Sequence, residues 1–359
     1  MRYKITIYLL LMKIKFIILT LFFITVFIQI INLIEVSRVL ESNQFNMFTI
    51  IYLSLLKLPS SINQIIPFAI IISTAFFYRY LIKNNEFISI RNVGYSIIDI
   101  FKPVGTAIFL IGIFFLIILN PLSAFFEKKF ELETSQDLTS LYSIKIKNNE
   151  IWIKNIEEDR INFIKFSNFD LKNMTAKNIK IIEINKNIIK FYLAESGELL
   201  KNNLNLQNVY FFNSNNDEYT TINNFKIQVN FKKNDIIQSI SNYKHIPFYK
   251  YNLHINSLKK FNLYSQEVSL YYLSELFKPF FLFILGFVVM GFSNKINRSE
   301  NIFKTLFFSI GIGFSFFILN EILTGLTIAN YISFLFAYTI LILVSLVIGL
   351  YQSINIETK

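Results

Sequence analysis

Six stretches of roughly 20 apolar residues mark this chain, at about 14–36, 62–82, 101–121, 275–294, 302–325 and 330–351. A helix of about 20 residues covers the ~30 Å of a bilayer's hydrocarbon core, so the pattern predicts six membrane spans. Between the third and fourth stretches the periodicity changes. Ser123 to Leu141 reads as a charged helix continuing from span three. Short segments alternating every second residue follow: Ser143–Lys147, Ile151–Lys154, Ile161–Phe166, Asn178–Ile184, Ile188–Leu193, Leu204–Phe212 and Lys226–Asn230. Asn and Gly punctuate them, as at Asn148-Asn149 and Ser196-Gly197. Many short strands at such spacing predict an antiparallel sandwich, jelly roll or open barrel. The chain is therefore expected to be a polytopic α-helical membrane protein with an inserted all-β, jelly-roll-like domain. Its parts are residues 1–121, 122–270 and 271–359. Alternating Phe and Tyr in the insertion fit either a plain apolar interior or a groove for acyl chains.

The basic residues orient the spans. Arg2, Lys4, Lys13 and Lys15 precede the first, Arg79, Lys83, Arg91 and Lys102 lie between the second and third, and Lys295, Arg298 and Lys304 between the fourth and fifth. The opposite loops hold Arg38 and Lys57 after span one and no Lys or Arg between spans five and six. Lys and Arg concentrate in cytoplasmic loops, so both termini are expected in the cytoplasm and the β-domain on the other side. The first apolar run, Ile14 to Val36, is too long for a secretory signal and lacks a small-x-small cleavage site, which predicts a retained helix.

Composition removes several classes of function. The chain is 53% hydrophobic with a mean hydropathy of +0.46. Residues 122–270 account for only +4 of the +11 net charge, the rest lying at the ends of apolar segments, so nucleic-acid binding is not expected. The absence of cysteine excludes disulfides, thiolate metal sites and thiol nucleophiles. There is no phosphate-binding G-x-x-x-x-G-K-[ST] loop, no H-E-x-x-H and no G-x-S-x-G. His245 and His254 stand apart in a segment returning to the membrane, and Glu321 lies near the outer end of span five. No enzyme activity, metal or cofactor is expected.

The most informative stretch runs from Leu58 to Glu133. Between spans two and three lies Asn84-Asn85-Glu86-Phe87-Ile88-Ser89-Ile90-Arg91-Asn92-Val93-Gly94, polar at its ends and apolar between them. It is too short and too charged to cross a membrane; Gly94 suits a helix stop, and Lys102-Pro103 opens the next span. A short surface helix with a carboxylate and an apolar ridge (Phe87, Ile88, Ile90) fits docking into a groove of a soluble partner. It equally fits an interfacial connector lying on the headgroups.

Several motifs here carry a resemblance. Leu58-Pro59, Gln64, Pro67-Phe68-Ala69, Tyr78-Arg79, Asn84-Asn85-Glu86, Arg91, Gly94, Ser96, Lys102-Pro103 and Asn120-Pro121-Leu122-Ser123-Ala124 resemble the LptF/LptG permeases of the lipopolysaccharide-exporting ABC transporter. Asn-Pro-Leu-Ser-Ala is closer to LptG than to LptF. The resemblance implies a subunit that extracts lipopolysaccharide from the bacterial inner membrane, with its jelly roll in the periplasm. It implies as partners an LptB-like ATPase dimer, a sister LptF-like permease and an LptC-like periplasmic bridge. Glu86, with Phe87, Arg91 and Gly94 in the same motif, would couple to the ATPase. By the same logic Arg38, Lys128 and Lys129 would meet lipid phosphates; as solitary cations they are equally explained by solvation. The start of span six lacks the Pro-rich, Trp-containing stretch associated with the family. A membrane-anchored envelope binding or assembly protein without transport activity is the alternative.

Overall fold

A computed structural model describes residues 2–39, 47–134, 151–157, 160–170, 174–185, 188–200, 203–213, 218–229, 231–261, 263–292 and 302–357. The chain forms two compact units, Met1–Thr134 with Ser265–Lys359, and Ser135–Tyr264.

The first unit is helical. It contains α1 (Arg2–Val39), α2 (Met47–Lys83), α3 (Glu86–Asn92), α4 (Ile97–Phe114) and α5 (Asn120–Thr134). After the second unit come α8 (Gln266–Leu276), α9 (Lys278–Gly291), α10 (Ile302–Ile328) and α11 (Phe334–Glu357). Among the described residues five helices are long and apolar enough to cross a membrane, and the bent pair α8–α9, counted as one broken span, brings the number to six. Helices suit this setting because every backbone group finds its partner within the segment. On α1 the buried positions are Leu9, Lys13, Ile17, Thr20, Ile28, Asn32 and Val36, one stripe at three- and four-residue spacing. The other faces remain apolar, with Phe22, Phe23, Phe27 and Ile30 exposed, as lipid-facing helices require.

Boundaries differ from the sequence expectation most at the second and third spans. α2 begins at Met47, not near 62, and continues through Pro59 and Pro67. The third span begins at Ile97 rather than at Lys102-Pro103, because Ser96 and Asp99 form a capping box ahead of it. It passes through a π-turn at Phe115–Leu119 into α5. Lys13, expected as a flanking charge, is fully buried; its Nζ donates to Ser73 Oγ at 2.9 Å and Thr74 Oγ1 at 2.7 Å.

The core of this unit joins α1, α2, α4 and α9 through Leu9, Ile17, Leu81, Ile97, Phe101, Val104, Leu282 and Leu285. Phe101 meets Phe283 and Phe287, each at 5.1 Å between centroids. Gly112 lets α4 lie against the backbone of α9: a Cβ there would stand 2.7 Å from Pro279 Cα, which cannot yield as a side chain can. Gly112→Ala should therefore cost about 1–3 kcal/mol of overpacking, read as a lower unfolding temperature in detergent.

The second unit is all-β over β1 (Ile151–Glu157), β2 (Arg160–Asp170), β3 (Thr175–Asn185), β4 (Ile188–Leu200), β5 (Asn203–Asn213) and β6 (Glu218–Gln228). The six strands form one antiparallel sheet in sequence order, each joined to the next as in a meander. The segment expected as a strand at Ser143–Lys147 lies outside the described residues. Two short helices that sequence reading did not anticipate follow, α6 (Lys233–Ile240) and α7 (Tyr251–Lys260). Ile236 of α6 and Phe261 pack on the sheet's buried face with Ile164, Ile181, Ala194 and Leu206.

A crease crosses this sheet. Buried positions run Leu204 and Leu206, then Val209 on β5, and Tyr192 and Ala194, then Gly197 and Leu199 on β4. The inward phase thus slips by one residue while the pairing of β4 with β5 keeps one register on both sides. Asn178 and Asn208 sit on this line with φ of 49° and 50°, a left-handed conformation that Asn tolerates better than most residues. Asn208 Nδ2 donates to Glu195 Oε2 at 2.8 Å across it.

Candidate functional site: the helix between the second and third spans

α3 is held at both ends by local backbone chemistry. Asn85 turns the chain out of α2 with φ of 60°, and Ser89 Oγ donates back to its carbonyl at 2.9 Å. At the other end Gly94 adopts φ of 88° and its N–H reaches Arg91 O at 2.9 Å. A side chain at Gly94 would be strained by this backbone although the space around it is open. The Ser96 cap then starts α4 at once, with Lys102 pairing Asp99 at 2.8 Å.

The apolar ridge divides in two. Phe87 turns inward and meets the Tyr78 ring edge-on at 6.3 Å, and Ile90 is buried. Positions 87 and 90 share a face at a spacing of three, which leaves Ile88 on the other side. Ile88 of α3 and Val93, the residue just after it, are more than half exposed and are the apolar side chains offered outward here. Glu86 and Arg91 are half-buried. Glu86 Oε2 accepts a 2.8 Å hydrogen bond from Tyr8 Oη of α1. A cavity of about 410 Å³ opens beside Tyr8, lined in part by Tyr8, Leu11, Lys15 and Tyr80. Glu86, Phe87, Arg91 and Gly94 thus lie on one small element, braced by α1, α2 and α4.

The three cations assigned to lipid phosphate occupy the far ends of α1 and α5. Arg38 and Lys128 are exposed, and Lys129 Nζ stands 5.4 Å from the Tyr52 ring. An apolar cluster of Val36, Leu53, Leu56, Phe126 and Phe130 joins α1, α2 and α5 nearby, but the structure shows no shared site for the three charges. Around them Lys57 pairs with Glu35, Ser60 donates to Glu127 at 2.9 Å and Tyr52 donates to Glu133 at 3.1 Å. Glu321 is exposed on α10, and both histidines are buried. Among the described residues no group of His, Asp and Glu is arranged to hold a metal.

Sequence reasoning missed a charged cluster inside the helical unit. Glu275 accepts from Asn63 Nδ2 at 3.1 Å and Asn120 Nδ2 at 3.0 Å, and pairs with Lys278. Lys278 Nζ also donates to Asn63 Oδ1 at 2.9 Å and Asn63 O at 3.2 Å. The signal was an ionisable pair at the edge of an apolar run, where charge is costly without a partner.

These features define a class: a multi-pass membrane protein with an inserted antiparallel β-domain and a short braced helix between its second and third spans. Over residues 7–355 the chain matches the family described as lipopolysaccharide export system permease LptF/LptG. The protein belongs to that family, whose members are inner-membrane permease subunits and not themselves catalysts. No curated protein matches the chain.

Proposed function

We propose that this protein is the LptG-like permease of an ABC transporter, drawing lipopolysaccharide from the inner membrane and passing it to a periplasmic bridge protein. Family membership supports the lipopolysaccharide role, and Asn120-Pro121-Leu122-Ser123-Ala124 supports the LptG branch. The observation that carries the coupling role is α3 itself: a braced helix with a half-buried carboxylate at its start and Ile88 and Val93 facing outward. Glu86 receives a basic group of an LptB-like ATPase dimer, with Phe87 anchoring the helix, Arg91 beside it and Gly94 ending it. Both termini are cytoplasmic and the β-domain periplasmic, supported by the basic residues of the loops. A sister LptF-like permease completes the membrane cavity, and an LptC-like bridge extends the β-domain. Arg38, Lys128 and Lys129 meet lipid phosphates at the periplasmic end.

Tagged chain, purified in mild detergent and analysed by mass spectrometry, should bring down a soluble ATPase and a second six-span permease. Recovery of neither, under conditions that keep other ABC complexes whole, would favour a membrane-anchored binding protein. Tyr8 and the ATPase would compete for the same carboxylate. Tyr8→Phe removes a hydrogen bond to a carboxylate, worth about 1.5–3 kcal/mol, and should raise ATPase affinity by roughly tenfold or more, measured by titration of the reconstituted complex.

A further inference from the structure

Pro279 explains why the fourth span breaks but not where its outer half points. A proline has no amide hydrogen for the carbonyl four residues earlier, and its ring crowds that carbonyl, which here belongs to Glu275. The axes of α8 and α9 consequently differ by 66°. A proline bend leaves the direction of the kink loosely set. The residues flanking this break are charged and almost completely buried, Glu275 with 6% and Lys278 with 11% of the side chain exposed.

Their bonding is closed on itself. Asn63 donates its amide to Glu275 and accepts from Lys278 at its Oδ1, while Glu275 and Lys278 pair across the break. Asn120, at the start of α5, donates to the same Glu275 oxygen as Asn63. This ring forms only when α2, α8 and α9 hold one mutual arrangement. Apolar residues of similar volume would hold the helices together at least as firmly, because burying two charges offsets much of what their pairing returns. What the charged ring adds is a discrete geometry. α2 carries α3 at one end and Asn63 about 20 residues away, roughly 30 Å along a helix.

We infer that the Glu275–Lys278 pair, closed by Asn63 and Asn120, is a positioning latch that sets the direction of the bent fourth span against α2. Through it, displacement of α2 by α3 reaches the outer end of that span. The latch stands on geometry alone; its use in lipid movement rests on the transporter reading above.

The chain has no cysteine, so two introduced cysteines accept spin labels without background. Leu55→Cys on α2 and Ser265→Cys at the start of α8 report the separation of the two elements. With the latch intact the distance distribution should be narrow. The apolar pair Glu275→Leu with Lys278→Met should purify in normal yield, widen the distribution at least twofold and lower lipid moved per ATP at least tenfold. Lys278→Arg, which keeps the pair, should retain the narrow distribution. If the apolar pair does not fold, Asn63→Leu opens the ring with the ion pair in place and carries the same comparison. An unchanged width overturns the latch. A wider distribution with lipid per ATP within twofold of the parent overturns its part in transport. A parent complex that hydrolyses ATP and moves no lipid sinks the transporter reading, while the width still decides the latch.

Discussion

Glu86→Ala should reduce the ATPase recovered with the tagged chain by tenfold or more. Alanine is the best helix former, so α3 itself survives the substitution. The loss of a first-turn carboxylate at a helix start removes only about 0.3–1 kcal/mol of helix stability. A hydrogen bond to a charged group is worth about 1.5–3 kcal/mol, which corresponds to roughly ten- to 150-fold in affinity. The docking term is therefore the larger of the two, and the loss should appear in partner recovery rather than in folding. Ile88→Ala, which trims an outward apolar side chain without removing charge, should weaken recovery less. Quantitative mass spectrometry of the purified complexes, with size-exclusion profiles as the folding control, separates the effects. Equal ATPase recovery from Glu86→Ala and parent would make Glu86 a surface residue and α3 an interfacial connector.

Lys278→Met alone should be far more harmful than its apolar partner substitution made together with it. It leaves Glu275 buried, charged and without its cation. Removing one member of a buried pair costs about 3–5 kcal/mol, a large part of the ~5–15 kcal/mol that holds a protein folded. At roughly 2–4 °C per kcal/mol for a unit of this size, the unfolding temperature in detergent should fall by about 10 °C. The Asn63 and Asn120 amides still bond the carboxylate and limit the loss. The double apolar variant relieves the buried charge altogether and should return most of the stability. If Lys278→Met and the double variant unfold at the same temperature, Glu275 is not held as an unpaired charge and the cluster is ordinary packing.

The spans were legible because a membrane filters sequence strongly: twenty apolar residues in a row have few other uses. Their ends were not. Span two was expected to begin near 62 with Lys57 in the loop before it, yet α2 begins at Met47 and runs straight through Pro59, with Lys57 paired to Glu35 on α1. The break in span four was hidden because Phe277-Lys278-Pro279 lies at the edge of an apolar run, where charge and proline look like a beginning. In the β-domain β1 to β5 were readable from alternation, but the last strand was expected at Lys226–Asn230 and β6 lies at Glu218–Gln228, overlapping it by three residues. The crease went unread although composition marks it: Leu204 and Leu206 alternate with polar residues, but Asn208 stands where an apolar residue is due and Val209 takes the buried side. The short helix between spans two and three was visible from its polar ends and Gly94. Which of its apolar residues faced outward needed the three-residue spacing of Phe87 and Ile90 to be placed against Tyr78. Of the Glu275 cluster the sequence shows only the ionisable pair at the edge of an apolar run; its partner Asn63, 212 residues away, could not be read.

Length along α1, α2 and the α4–α5 rod has a consequence for the path of a lipid. The candidate spans there run to 36, 37 and 35 residues, or about 52–55 Å of helix each. Even tilted by 40°, such rods rise about 40 Å, against ~30 Å of hydrocarbon. α3 and the Ser96 cap tie α2 and α4 at one end, so much of the surplus stands at the other, where Val36, Leu56, Phe126 and Phe130 keep the three rods bound by apolar contact. The helical wall thus continues where the bilayer stops. In the transporter proposed above, an acyl chain rising along it would part from its neighbouring lipids while still lying against protein, so that leaving the membrane and leaving the permease would be two separate events.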